Sequence, residues 1–385
     1  MKKIAKKNKK KLLFLITEDW YFCSHRLSLA TAAKSIGYDV VVVTRVNKHG
    51  PIIEAAGLKL IQLNKLKRSS LNPLIELAAL LEIIAIYKNE KPDIVHHVAI
   101  KPVIYGSIAA KFIGLGCKVN AMGGLGFIFN STKLQAKLLK ILISPFFRFL
   151  LNDPHGRVIL QNTSDINLLK NFANVNSKYI RLIAGAGVDL KKYNVQPLLN
   201  DIPLITLISR MLWDKGIREF VEAAKALKAQ GINARFVIIG NPDPENPLSI
   251  PQNQLTAWDN EGFVEWWGYR SDIPNILAQS YLICLPTYYG EGVPKVLLES
   301  MASGRAIITT DIPGCRELVE EGGGGILIKP KNIKSLSRSI EMLLNDRSMC
   351  KSLGKAGREF VELKHSTKYI SNLTFNIYKE LLADT

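Results

Sequence analysis

The stretch LISRMLWDKGIREFVEAAKAL, residues 207–227, decides the reading of the chain. It opens on the end of an apolar strand, Leu204–Ser209, crosses a turn holding Arg210, Lys215 and Gly216, and continues as a helix, Gly216–Gln230. A helix that starts just after a strand presents free N–H donors and the positive end of its dipole at the carboxyl edge of the sheet. Two cations beside such a terminus suit a diphosphate, although a solvated basic loop would carry the same residues.

Working outward, the strand and helix pattern repeats. Downstream come the strand Arg235–Gly240, a helix near Leu255, strands at Phe263–Trp267 and Tyr281–Leu285, a helix from Pro294 and the strand Arg305–Thr310. Upstream lies VQPLLNDIP (195–203), with two prolines and no periodicity, which suits a linker between domains. Before it the pattern runs through Leu12–Thr17, a helix over Arg26–Ser35, DVVVVT (39–44), Leu58–Leu63, a helix ending near Asn89, the strand Asp93–Val98, a helix over Ile104–Ile113 and the strand Arg157–Gln161. Such alternation implies mostly parallel, doubly wound sheets. The expected fold class is α/β with two Rossmann-like domains facing a central cleft, residues 1–195 and 204–362, and a final helical segment, 363–385, packing back toward the first. Ligands of open α/β sheets bind beyond the carboxyl ends of the strands, so functional residues are sought there.

Composition agrees with two cores. The chain has 385 residues, 47% hydrophobic and 22% charged, which is globular and long enough for two domains. The most apolar segment, Leu74–Tyr87, is broken by Glu76 and Glu82 and does not read as a membrane span. Seven lysines between Lys2 and Lys11 precede the apolar run Leu12–Ile16, which is too short for a signal peptide, so a cytoplasmic location is expected. Five scattered cysteines without a C-x-x-C pair argue for a reducing compartment and against structural zinc. The net charge of +18 points to phosphate-bearing polymers or anionic lipid, or to a lysine-rich genome.

The second informative stretch is PTYYGEGVPKVLLESMASGRAIITTDIPG, residues 286–314. Gly290 and Gly292 flank Glu291 in the loop after a strand, Pro294 suits the first turn of the next helix, and Gly304 suits its end. Glu299 follows eight positions after Glu291, inside that helix, and two carboxylates at different depths can each accept hydrogen bonds from sugar hydroxyls. Two ordinary acids of a loop and a helix would give the same spacing.

Taken together, Arg210 and Lys215 before a helix, Glu291 and Glu299 with seven residues between, and GRAIITTDIPGCRELVEEGGGGILI (304–328) resemble the GT-B-fold retaining glycosyltransferases of family 4. In the first half ITEDWYFCSHRLSLA, PDIVHHVAIKPVIYGS, MGGLGFIF, ILQNTSD and AGAGVDLKKY extend the resemblance over almost the whole chain. The resemblance implies that Arg210 and Lys215 hold the donor diphosphate, Glu291 contacts the transferred sugar, and Glu299 the ribose. It places Gly292, Val293 and Pro294 along the phosphate and sugar, and Tyr269 and Arg270 near the base. Asn162 and the turn Gly185–Asp189 would lie across the cleft. On the acceptor side it places His25, Arg26, His96, His97 and Lys101, with His96 the better match to the family's functional histidine. Adjacent strand residues face opposite sides, so one of His96 and His97 points away from the cleft and is satisfied in the core.

The family reading requires a nucleotide sugar as substrate and no cofactor or metal, and the donor region has no D-x-D pair. SHRLSLA and HHVAIKP are similar to bacterial enzymes extending polyprenyl-diphosphate-linked sugars, which implies a hexose or N-acetylhexosamine donor, UDP-linked, and a lipid-linked saccharide acceptor. STKLQAKLLKILISPFFRFLL (131–151) places Lys133, Lys137, Lys140 and Arg148 on one helical face, with Pro145 expected to interrupt the helix; it suits an anionic membrane surface or a core helix with solvated lysines. Of the other readings, a dinucleotide oxidoreductase lacks G-x-G-x-x-G after its first strand, and a nucleic-acid-binding protein lacks any recognised signature. A sugar-nucleotide epimerase or a glycogen-type synthase would share the fold.

Overall fold

The computed structural model describes residues 9–68, 72–125, 134–199, 201–288, 290 and 292–383, with the backbone alone described for 134–142. The chain forms two compact units. The first comprises Met1–Ile183 with Ser371–Thr385, the second Ala184–Ile370.

In the first unit the apolar runs seen in the sequence become parallel strands. These are β1 (Lys11–Glu18), β2 (Asp39–Arg45), β3 (Lys59–Gln62), β4 (Ile94–Val98), β5 (Cys117–Ala121), β6 (Gly156–Leu160) and β7 (Ile180–Leu182). Their order across the sheet is β3-β2-β1-β4-β5-β6-β7. Leu12–Ile16 and Val41–Val43 are buried on both faces, which is why these strands read as continuous apolar runs rather than as alternations. In the second unit β8 (Leu204–Ile208), β9 (Arg235–Ile239), β10 (Glu265–Trp266), β11 (Leu282–Leu285), β12 (Ala306–Thr310) and β13 (Gly325–Ile328) order as β10-β9-β8-β11-β12-β13. Each sheet reverses its winding once, between β1 and β4 and between β8 and β11. A crevice opens at such a switch point, beyond the strand carboxyl ends, and there a doubly wound sheet binds its ligand.

Three expectations are corrected. The units divide at Ile183/Ala184 instead of within 195–203. Val188 is the reason: its N–H donates to His365 O at 2.9 Å and its carbonyl accepts from Thr367 N at 2.9 Å, fixing the preceding turn to the second unit. The proline-bearing stretch is itself strapped down, Arg347 Nη2 donating to Leu198 O at 2.5 Å and Leu199 O at 3.0 Å. Prolines reveal irregular backbone but not the surface it packs on. Second, the helix Leu134–Leu151 runs through Pro145 without a break. Phe147, Leu150 and Leu151 bury one face of its last turns, and the Ser144 hydroxyl donates to Phe172 O at 2.6 Å, which offsets the single backbone bond that proline removes. Third, Pro294 is the N-cap of the helix Lys295–Ala302 and not part of its first turn. At the C-terminal end the helix Thr367–Ala383 begins in the second unit and continues, from Ser371, as part of the first.

Candidate functional site

In the second unit four loops meet beyond β8, β9, β10 and β11. The loop after β8 carries Arg210 and a single 3₁₀ turn, Trp213–Lys215, before the helix Ile217–Ala229. Gly216 joins turn to helix with φ of 75°, and a Cβ there would stand 2.2 Å from the Pro286 carbonyl oxygen. Only glycine lets the β8 loop lie this close to the β11 loop. The contact is reinforced on both sides: Tyr288 N and Thr287 Oγ1 donate to Asp214 O at 2.9 and 3.0 Å. Gly240 does the same after β9, where a Cβ would fall 1.8 Å from Ser209 O.

Arg210 is exposed, and its Nη1 donates to Asp243 Oδ2 at 2.7 Å. Lys215 is half-buried at the end of the 3₁₀ turn. Gly292, Val293 and Pro294 are buried and lead directly into the helix Lys295–Ala302. Glu291 lies outside the described residues, so its role rests on the sequence alone. Glu299, one turn into that helix, is 7% exposed. Its Oε1 accepts from the Tyr193 hydroxyl at 2.6 Å and from Lys295 Nζ. Burial, with the neighbouring carboxylate, pushes the Tyr193 phenol well above its ordinary range, so it remains a donor. Tyr269 is exposed after β10. Arg270 beside it is held by Asp272 at 2.7 and 2.8 Å, a bidentate pair that keeps the Asp272 carboxyl below its usual range.

In the first unit Arg26 sits between the helices Asp19–His25 and Leu27–Ser35, after β1. It is 6% exposed, and its Nε has no hydrogen-bond partner. Desolvation lowers its pKa, and the two groups that favour its charge, Tyr21 and Tyr378, are phenols and not carboxylates. His96, on β4, is 1% exposed and stacks on Phe14; its Nδ1 meets the Tyr378 hydroxyl at 2.5 Å and its Nε2 has no partner. Desolvation first, then Arg26, holds this imidazole far below the usual histidine range. His25 stacks on Tyr21 with ring centroids 4.0 Å apart. Arg26, His96 and Tyr378 thus form one buried, basic, incompletely bonded cluster at the β1/β4 switch point.

His97 is the histidine that points away. It is fully buried, with Nδ1 2.7 Å from Asn120 Oδ1 and Nε2 3.0 Å from Tyr87 OH, so both nitrogens are satisfied in the core. The expectation of an acceptor-side role for His97 is corrected accordingly. Lys101 is spent on Glu76 and on Lys67 O, both at 2.9 Å. Asn162 is fully buried and caps the helix Thr163–Ala173, accepting from Asp165 N at 2.7 Å and donating to Asp165 Oδ2 at 2.9 Å. The turn Gly185–Asp189 belongs to the second unit and packs its Gly185 against Val293 and Leu298. The partners that sequence reasoning missed are Tyr193, Lys295, Asp243 and Tyr378. Lys295 and Glu299 were readable as an i,i+4 pair. Tyr193 and Tyr378 reach their sites from 106 and 282 residues away in the chain, and no local signal marks them.

Two doubly wound units, one carrying cations and a buried carboxylate at its switch point and the other a basic histidine cluster, define the class of GT-B transferases. Comparison with known proteins agrees. Residues 11–163 match the family described as glycosyl transferase 4-like, and residues 189–360 match glycosyl transferases group 1. The chain is 29% identical over 370 residues, 93% of its length and 95% of the relative's, to N,N′-diacetylbacillosaminyl-diphospho-undecaprenol α-1,3-N-acetylgalactosaminyltransferase of Campylobacter jejuni. It is 29% identical to the Escherichia coli UDP-Gal:α-D-GlcNAc-diphosphoundecaprenol α-1,3-galactosyltransferase over 71% of each chain. Among solved structures, Anabaena HepE with UDP and glucose superposes with a TM-score of 0.77 over 96% of this chain and 99% of its own, at 16% identity, a likeness that carries the fold. The chain belongs to the GT-B glycosyltransferases of the family 4 type.

Proposed function

We propose that the protein transfers a hexose or N-acetylhexosamine, with retention and without a metal, from a UDP-sugar to a polyprenyl-diphosphate-linked saccharide in surface polysaccharide or glycan assembly. The observation that supports the donor half is the contact of the β8 loop, which carries Arg210 and Lys215, with the β11 loop that precedes the helix Lys295–Ala302 and its buried Glu299. Cations and a helix dipole suit the diphosphate, and the carboxylate suits a ribose diol. Preorganised positive charge stabilises the departing UDP as the C1–O phosphate bond breaks. The acceptor hydroxyl forms its new bond to C1 on the same face, and its proton passes to the departing phosphate oxygen. Glu291 holds the transferred sugar, and Tyr269 and Arg270 flank the base.

For the acceptor half, the support is Arg26, a buried cation that has no carboxylate partner among the described residues, beside His96. Its charge calls for an anion, and the names of both relatives above specify diphosphate-linked acceptors. Contact with an anionic membrane on the cytoplasmic side is supported by three exposed phenyl rings of the first unit, Phe112, Phe146 and Phe149. Lys88 lies 5.5 Å from the Phe112 centroid and Lys111 4.7 Å from that of Phe149. Among the described residues no helix is long and apolar enough to cross a membrane.

The test is thermal shift and hydrolysis against UDP-, GDP-, ADP- and dTDP-sugars with EDTA present, followed by transfer to a short polyprenyl-diphosphate N-acetylhexosamine. Selective stabilisation by UDP-sugars, turnover under EDTA, and loss of at least about a hundredfold in kcat with Lys215→Ala are expected. Absence of any sugar-nucleotide response sinks the proposal.

A further inference from the structure

We infer that Tyr193 is a positioning residue for nucleotide recognition, which with Lys295 occupies one oxygen of Glu299 and turns the other toward a single ribose hydroxyl. The inference rests on the donor-site reading above and narrows it to one atom. A carboxylate has about four lone-pair positions, two on each oxygen. On Glu299 both donors, the Tyr193 hydroxyl and Lys295 Nζ, fall on Oε1. Oε2 takes no hydrogen bond from the protein among the described residues, and it is not among the side-chain atoms sealed in without a partner. The free oxygen therefore accepts from whatever occupies the crevice.

Tyr193 is built to hold this arrangement. Its ring packs in the apolar cluster that includes Val188, Val293, Leu297 and Leu298. Its carbonyl oxygen accepts from Arg358 Nη1 at 2.6 Å, which clamps the backbone from the far side. The phenol reaches Glu299 from outside the helix while Lys295 reaches it from one turn earlier on the same helix. Two donors from different directions fix the side-chain torsions of Glu299 in a way that one would not. A carboxylate with both oxygens free grips a vicinal diol through both hydroxyls. One with Oε1 filled grips mainly one, so the two ribose hydroxyls contribute unequally to affinity.

A purely structural role, tying the segment 184–193 to the helix Lys295–Ala302, would affect stability without affecting which hydroxyl is read. The discriminating experiment is calorimetric titration of the full chain with UDP, 2′-deoxy-UDP and 3′-deoxy-UDP, for the wild type, Tyr193→Phe and Lys295→Met. Tyr193→Phe keeps the ring packing and removes only the donor. In the wild type one deoxy analogue is expected to bind about tenfold or more weakly than UDP and the other within about threefold, the loss of one charge-assisted hydrogen bond. In both variants the two analogues should converge to within about threefold of each other. Equal losses for the two analogues in the wild type, or an unchanged ratio in both variants, would overturn the inference while leaving the donor site standing. Failure of the wild type to bind UDP, GDP or ADP would overturn the donor site and this inference together.

Discussion

Arg26 and His97 show how differently two buried basic side chains are used. Among the described residues Arg26 gives up its solvation and receives no carboxylate in return, so the cluster is less stable than an apolar one of the same size. Arg26→Met should therefore raise the stability of the ligand-free protein, by about 1–3 kcal/mol, while raising the KM for a diphosphate-linked acceptor at least tenfold. Urea denaturation and steady-state kinetics check the two halves, and a variant that is less stable and kinetically normal contradicts the anion-site assignment. His97, by contrast, is neutral and satisfied, with its pKa lowered to about 4 first by burial and then by Lys118, against a raising influence from Asn120. Tyr87, Ser107 and His96 complete its surroundings. The unfolded chain takes up a proton near pH 6.5 that the native imidazole refuses until about pH 4. Stability is thus full above pH 6.5 and falls as pH drops toward 4, by about 3 kcal/mol from His97, with His96 acting in the same direction. His97→Gln should be less stable at pH 7 yet lose less between pH 6.5 and 4; parallel denaturation curves would count against this account.

At the scale of elements, the loop after β8 depends on the close approach of Gly216 to Pro286. Gly216→Ala combines a left-handed φ with a backbone clash and should cost about 2–4 kcal/mol, and it should separate Arg210 and Lys215 from the β11 loop. The expected result is a lowered Tm together with loss of the nucleotide-dependent shift; an unaffected shift would mean that the two loops act independently. Strands β1, β2 and β11 were legible in the sequence because they are buried on both faces and their centres appear as continuous apolar runs. Strand β10 was overestimated because only Glu265 and Trp266 pair with β9, although the apolar run is longer. The placement of Arg210 and Lys215 after β8 and of Glu299 in the helix Lys295–Ala302 was legible because strand ends and helix starts are local features. Asn162 shows the limit of local reading: an asparagine after a strand reads alike whether it faces a ligand or caps the next helix, and here it caps the helix Thr163–Ala173 through Asp165. The unit boundary and the tyrosines that complete each site depend on contacts distant in sequence, which periodicity does not encode.

At the scale of the whole molecule, the net charge of +18 is by itself an attraction to any polyanion, and only apolar groups beside it make the attraction specific for lipid. On the proposed membrane-facing side, Phe112, Phe146 and Phe149 would supply those groups, with Lys88, Lys111 and Arg148 near them. The acids of the helix Pro73–Glu90 are all engaged by neighbouring groups of the first unit. Glu76 pairs with Lys101, Glu82 accepts from Asn64 and Lys65, and Glu90 pairs with Lys11 and Lys59. The ion pairs of Glu76 and Glu90 offset their charge toward an anionic surface, whereas Glu82, bonded to neutral N–H groups, keeps its own. Sedimentation with phosphatidylglycerol vesicles should show binding that weakens as salt rises from about 0.1 to 1 M, because the screening length shrinks from roughly 10 to 3 Å. Phe146→Ser combined with Phe149→Ser should reduce partitioning roughly thirtyfold, corresponding to about 2 kcal/mol of apolar insertion, while retention on heparin stays at the wild-type level. Equal loss on vesicles and heparin would make the phenyl rings structural, and unchanged vesicle binding would leave the lysines alone responsible and the surface unselective for lipid.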